Sequence, residues 1–164
     1  MPNHVHLIAV TSERESLRLA IGEAHCRYRR RVNFREGWEG HLWQGCFASH
    51  VMDERYLLAC ARYIENNPVR AGLADRADRW SWSSAKSHIR RKNDKLVKVE
   101  PLLSMVKKDW SDFLSEKVTS EEQQNIRKHE RTGRPLGSMA FIEQLESILN
   151  LSLKPKKPGR KPKT

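Results

Sequence analysis

The chain has 164 residues, enough for one domain with appendages, and 31 Lys and Arg against 20 Asp and Glu give it a formal net charge of +11. That balance makes nucleic acid the leading partner class, while the absence of a long apolar run or a signal-like start argues against a membrane partner and for a cytoplasmic, nucleoid-associated protein. Cys26, Cys46 and Cys60 are odd in number, widely spaced and contain no Cys-x-x-Cys pair, which argues against a disulfide scaffold and a structural zinc site.

Residues 4–10 read as a strand buried on at least one face. Its alternation points His4 and His6 the same way, and two neutral imidazoles make half of a divalent-metal site. A chance His-x-His on a strand is the plain alternative. Thr11-Ser12-Glu13 then predicts a helix start, and Leu17, Ala20, Ile21, Ala24 and Tyr28 give that helix an apolar stripe as far as about Asn33. Its last turns carry Arg27, Arg29, Arg30 and Arg31, more cations than a helix C-terminus needs, so they are candidate nucleic-acid contacts.

Residues 34–40 form a loop, and Phe47–Met52 reads as a second strand able to pair with residues 4–10. Asp53 caps a helix from Glu54 to about Asn67, with Leu57, Leu58, Ala61 and Ile64 buried; Pro68 ends it, and Gly72 closes a short helical turn. Trp80 and Trp82 are expected to pack onto the core. Residues 88–98 are basic and irregular. Short helices follow at 102–106 and 110–118, a polar helix at 121–131, and a last helix at 139–149 capped by Ser138. The Lys- and Pro-rich end, 154–164, is low in complexity and predicts disorder.

Tyr63 and Asn67 stand four apart, on one face of the predicted helix. If that face lay over His4 and His6, two imidazoles and an amide oxygen would hold a divalent cation beside a nucleophilic phenol, a complete phosphoryl-transfer centre. The residues alone do not select Tyr63. Tyr28 and Tyr56 are alternatives, and Tyr63 also suits an amphipathic core, with Asn67 a helix-ending residue before proline.

Four blocks carry a resemblance. Met1-Pro-Asn-His-Val-His-Leu-Ile8, Leu42-Trp-Gln-Gly-Cys-Phe-Ala-Ser49, Arg62-Tyr-Ile-Glu-Asn-Asn-Pro-Val-Arg-Ala-Gly-Leu73 and Trp80-Ser-Trp-Ser-Ser84 occur in the order of the HUH-type single-tyrosine transposases. The chain most resembles the REP-associated tyrosine transposases, which also carry a block like Thr132-Gly-Arg-Pro-Leu-Gly137, a helix and a basic tail. The resemblance implies His4, His6 and Asn67 as ligands of Mg²⁺ or Mn²⁺, and Tyr63 as the nucleophile. It further implies cleavage and rejoining of single-stranded or hairpin DNA through a 5′-phosphotyrosine with a free 3′-hydroxyl, without ATP, by a homodimer. Arg70 lies in the tyrosine block and joins the candidate DNA contacts. Lys156, Lys157, Arg160 and Lys161 resemble a basic tail adding salt-sensitive affinity.

The implied fold is α+β: a ferredoxin-like antiparallel sheet with helices on one face over residues 1–87, a helical extension over 88–150 and a basic tail over 151–164. Three departures stand out. Cys46 replaces a frequent arginine, Asn66 replaces a frequent apolar residue, and the family's strand, helix and strand before the His-x-His strand are not in this sequence. The sheet is therefore expected to be incomplete, with an open edge, in a truncated or mis-started frame whose activity is in question. Two further readings stay open: a transposase-derived protein that binds hairpin DNA without cutting it, and a small basic RNA-binding protein with structural histidines.

Overall fold

Asp53 shows how the ends of distant segments are tied together. In the computed structural model, which describes residues 1–154, its Oδ1 accepts the backbone N–H of Tyr56 at 3.0 Å and so caps α2 (Glu54–Glu65). Its Oδ2 accepts the N–H of Ser138 at 2.8 Å, at the start of α8 (Met139–Leu149). Backbone bonds from Asp53 N to Leu136 O and from Leu136 N to Val51 O complete the clasp. Gly137 is required here by space, because a Cβ would collide with Phe141 and Asp53. Asp53→Ala removes a helix cap and a long-range acceptor together, and is expected to lower stability by about 2 kcal/mol. A urea midpoint matching the parent protein would rule out that role.

α2 is the central helix. Ala59, Cys60, Ala61, Tyr63 and Glu65 are all buried, so its C-terminal half is covered on several sides rather than along one stripe. It packs against α6 (Trp110–Ser115) and α7 (Ser120–Thr132). The helix stops at Glu65, and α3 (Asn67–Arg70) follows with Pro68 in its first turn, where a missing N–H costs nothing. After a 3₁₀ turn at Ala77–Arg79 come α4 (Ala85–Ile89) and α5 (Glu100–Leu103). α7 begins with a capping box: Thr119 accepts the N–H of Glu122, whose carboxylate accepts the N–H of Thr119. It ends at Gly133 in the left-handed conformation, φ 64°.

The core contains Val99, Leu103, Trp110, Phe113, Leu114, Ile126 and Leu136 with the α2 residues. A carboxylate sits inside it. Glu65, 2 % exposed, accepts from Ser84 Oγ at 2.5 Å, His88 Nδ1 at 2.7 Å and Trp110 Nε1 at 2.7 Å. These bonds fasten α2 to α4, to α6 and to the segment before α4.

The described chain divides into two compact units. Everything above belongs to the unit made of Met1–His6 and the chain from His50 onward. The other, Leu7–Ser49, is built on α1 (Ser16–Glu36). Trp43 stacks on His25 with ring centroids 4.1 Å apart and donates Nε1–H to the His25 carbonyl at 3.2 Å. Gly37, φ 65°, ends α1. The predicted cap at residues 11–13 is not used: the N-cap is Glu15, with no side-chain bond to the helix.

The expected ferredoxin-like antiparallel sheet is not formed, and the α+β assignment is corrected to a mostly helical protein. Among the described residues the β-type pairing is a single parallel bridge, Met52 with Leu136. A strand is stable only when neighbours take up its N–H and C=O groups and its apolar face is covered. Residues 4–10 have no such neighbour among the described residues, and Val5, Leu7 and Val10 are 65, 63 and 96 % exposed. Met52 pairs with Leu136 instead of with that segment. Trp82 is corrected as well: it is 85 % exposed rather than packed on the core.

Candidate active site around Tyr63

The reach of α2 and α7 brings a set of polar side chains to the first residues of the chain. His4 and His6 lie with ring centroids 4.8 Å apart, edge to face, and His6 lies 6.2 Å from the Tyr63 ring, also edge to face. His6 Nδ1 is 3.5 Å from the Glu130 carboxylate on α7. Tyr63 is 5 % exposed and borders a cleft of about 440 Å³ that Asn66, Arg70, Lys117 and Gln123 also line.

Two guanidinium groups attend the phenol. Arg70 lies over the Tyr63 ring, 4.2 Å from its centroid. Hydrogen bonding and charge attraction involving Tyr63 raise the pKa of Arg127 above its ordinary value. Arg70 Nη2 also donates to Asn67 Oδ1 at 2.5 Å, so the amide oxygen that the resemblance assigns to a metal is held by an arginine. Asn67 itself is buried.

These placements separate the three tyrosines that the residues alone left equal. Tyr56 OH accepts from Asn125 at 3.3 Å, and Tyr28 lies in the α1 unit, 5.6 Å from Trp43. Tyr63 is the one beside His6. Glu130 and Arg127 carried no sequence signal, being two charges in a polar helix. Their role depends on which face of α7 meets α2.

Burial lowers the pKa of His6, with the N-terminal amine and Arg70 adding repulsion. Burial, then His6 and the amine, lower that of His4 against an upward pull from Glu130. Both imidazoles are thus biased to the neutral form that a metal requires. Among the described residues, no three His, Cys, Asp or Glu side chains are placed to hold a metal together. The Cys60 thiol is pushed up to about 12 by burial, which leaves it protonated and unsuited to ligation or attack.

His50 and His129 are also held below the ordinary value of 6.5, mainly by burial. A depressed histidine lets the unfolded chain take up protons first, so stability falls as pH drops through the ordinary value towards the folded one. The urea midpoint is therefore expected to be lower near pH 5 than near pH 7.5. Equal midpoints would show that these four rings do not govern acid stability.

The arginines of α1 are in the other unit. Arg27 is paired with Glu23 at 2.6 Å, Arg29 is half-buried, and Arg30 and Arg31 are exposed. Lys156, Lys157, Arg160 and Lys161 lie outside the described residues. No helix among the described residues is long and apolar enough to cross a membrane. No family model, curated protein or solved structure matches the chain.

Proposed function

We propose that this chain cleaves and rejoins single-stranded or hairpin DNA through a covalent Tyr63 intermediate, as its resemblance to the HUH-type single-tyrosine transposases implies. The carrying observation is the meeting of residues from separate sequence blocks: His4, His6 and Tyr63 form one neighbourhood. Arginine is the residue suited to gripping a phosphate, and Arg70 lies over the Tyr63 ring.

In this reading the Tyr63 oxygen attacks phosphorus and loses its proton. The bond from phosphorus to the 3′-oxygen breaks, and that oxygen leaves as a hydroxyl. The 5′-phosphotyrosine keeps the energy of the phosphodiester, so rejoining by a 3′-hydroxyl needs no ATP. Arg70 exchanges Asn67 Oδ1 for an oxygen of the scissile phosphate. With Asn67 Oδ1 released, His4, His6 and Asn67 would be the residues to hold a divalent cation. Bound Mg²⁺ or Mn²⁺ supplies Lewis-acid polarisation of the phosphate. Cytoplasmic, nucleoid-associated action as a homodimer belongs to the same proposal.

A second reading, a hairpin-DNA-binding protein that does not cut, is favoured by the burial of Tyr63 and the occupied Asn67 oxygen. The two separate in one assay. The full chain is incubated with labelled hairpin DNA and Mn²⁺, then denatured. A covalent adduct supports cleavage; binding without an adduct supports the second reading.

A further inference from the structure

Residues 76–98 carry eight Lys and Arg against two Asp, a large share of the chain's net positive charge. The local sequence folds this stretch around a cleft. The 3₁₀ turn at Ala77–Arg79 packs on α4, and between them lies a cleft of about 520 Å³ lined by Arg79, Trp80, Ser83, Lys86 and Arg90. Lys86 and Arg90 stand one helical turn apart, so their charges point from the same side.

The lining groups are chiefly donors. Asp78, the acid at the cleft, is bound by Arg76 at 3.0 Å. Arg79 is paired with Asp75 at 2.7 Å, but Lys86 and Arg90 have no carboxylate partner among the described residues. Trp80 keeps its Nε1–H buried without a hydrogen-bond partner. The Lys86 ammonium and the Arg90 guanidinium are the cations without a carboxylate among the described residues at the cleft, and a phosphate oxygen is an acceptor with the charge to match.

The rim adds a second element. Trp82 does not line the cleft itself but lies in sequence between Ser81 and Ser83, which do, and the residue is 85 % exposed. Exposing so large an apolar side chain has no packing rationale, whereas a free aromatic face beside a cationic groove is how single strands are held: phosphates in the groove, bases stacked on the ring.

We propose that this cleft is a nucleic-acid site separate from Tyr63. It binds a phosphate of single-stranded nucleic acid between Lys86 and Arg90 and stacks the adjoining base on Trp82. The site stands on its own lining residues, so it does not depend on the chemistry proposed for Tyr63.

The test measures affinity of the full chain for a fluorescent single-stranded octamer without divalent metal, over a salt series, in a Tyr63→Phe background that removes the cleavage question. Trp82→Ala is expected to weaken binding about tenfold with the salt slope unchanged. Lys86→Gln and Arg90→Gln are each expected to weaken it and to reduce the slope by roughly 0.7. Octamer binding unchanged in all three variants overturns the site. Weakening by the charge variants alone overturns the stacking and with it the proposal. Inorganic phosphate competing as well as the octamer would show a free-phosphate site instead. Octamer binding that depends on all three residues, together with no covalent adduct from the unsubstituted chain and hairpin DNA with Mn²⁺, would sink only the Tyr63 reading.

Discussion

Glu65→Ala is expected to destabilise the helical unit by about 3–5 kcal/mol, enough to unfold a marginal domain. The substitution leaves the donors of Ser84, His88 and Trp110 without their acceptor. Each unsatisfied buried donor costs free energy, and the vacated volume adds a cavity term. His88 sharpens the effect, because its Nε2 is already buried without a partner. Glu65→Gln is expected to be milder, since it keeps one acceptor oxygen but turns an amide donor toward other donors. Glu116→Gln is the control. Glu116 pairs with Arg62 at 2.8 Å and with Lys108, but it is 45 % exposed, so about 1 kcal/mol or less is expected. Urea unfolding followed by circular dichroism measures all three. A Glu65→Ala midpoint as close to the parent as that of Glu116→Gln would refute the buried clasp.

The second large effect is on chemistry. Tyr63→Phe removes one oxygen and is expected to reduce covalent adduct with hairpin DNA roughly 10³-fold or more, down to background. Stability should change by no more than about 1.5 kcal/mol, the worth of one hydrogen bond. Tyr56→Phe, whose hydroxyl contacts Asn125, should leave adduct formation unchanged. Adduct surviving in Tyr63→Phe but not in Tyr56→Phe would move the nucleophile along α2 and overturn the assignment. Retained binding in Tyr63→Phe is expected, because the side chains proposed to hold phosphate are other ones.

Local features of the fold were legible because their causes are local. The Asp53 cap and the helix after it, and the Ser138 cap and α8, depend on a few neighbouring residues. The tyrosine helix was legible with its end near Pro68. The sheet was misread for the opposite reason. Residues 4–10 and 47–52 have the apolar content of strands, but a strand is a relation between segments. Here Met52 meets Leu136 rather than the His4 segment.

The candidate site divides along the same line. His4, His6 and Tyr63 were nominated from residue type and block order, and they lie together without the sheet expected to unite them. Glu130, Arg127 and the hold of Arg70 on Asn67 were not legible, since each depends on how α7 and α3 turn toward α2. Glu65 is the clearest case. In sequence it is an unremarked acid beside two asparagines, and only the packing of α4 and α6 makes it the buried acceptor of three donors.

By itself, then, the sequence determined the charge that makes nucleic acid the partner to test, the caps of α2 and α8, and the residue types from which the proposed centre is drawn. Those are set by composition and by contacts within a few residues. Tertiary structure alone decided that the protein is mostly helical, that Tyr63 rather than Tyr56 stands by His6, and that Trp82 is exposed next to two residues that line a cationic cleft. Those outcomes depend on which distant segments meet, and burial, pairing and shared electrostatics exist only once they do.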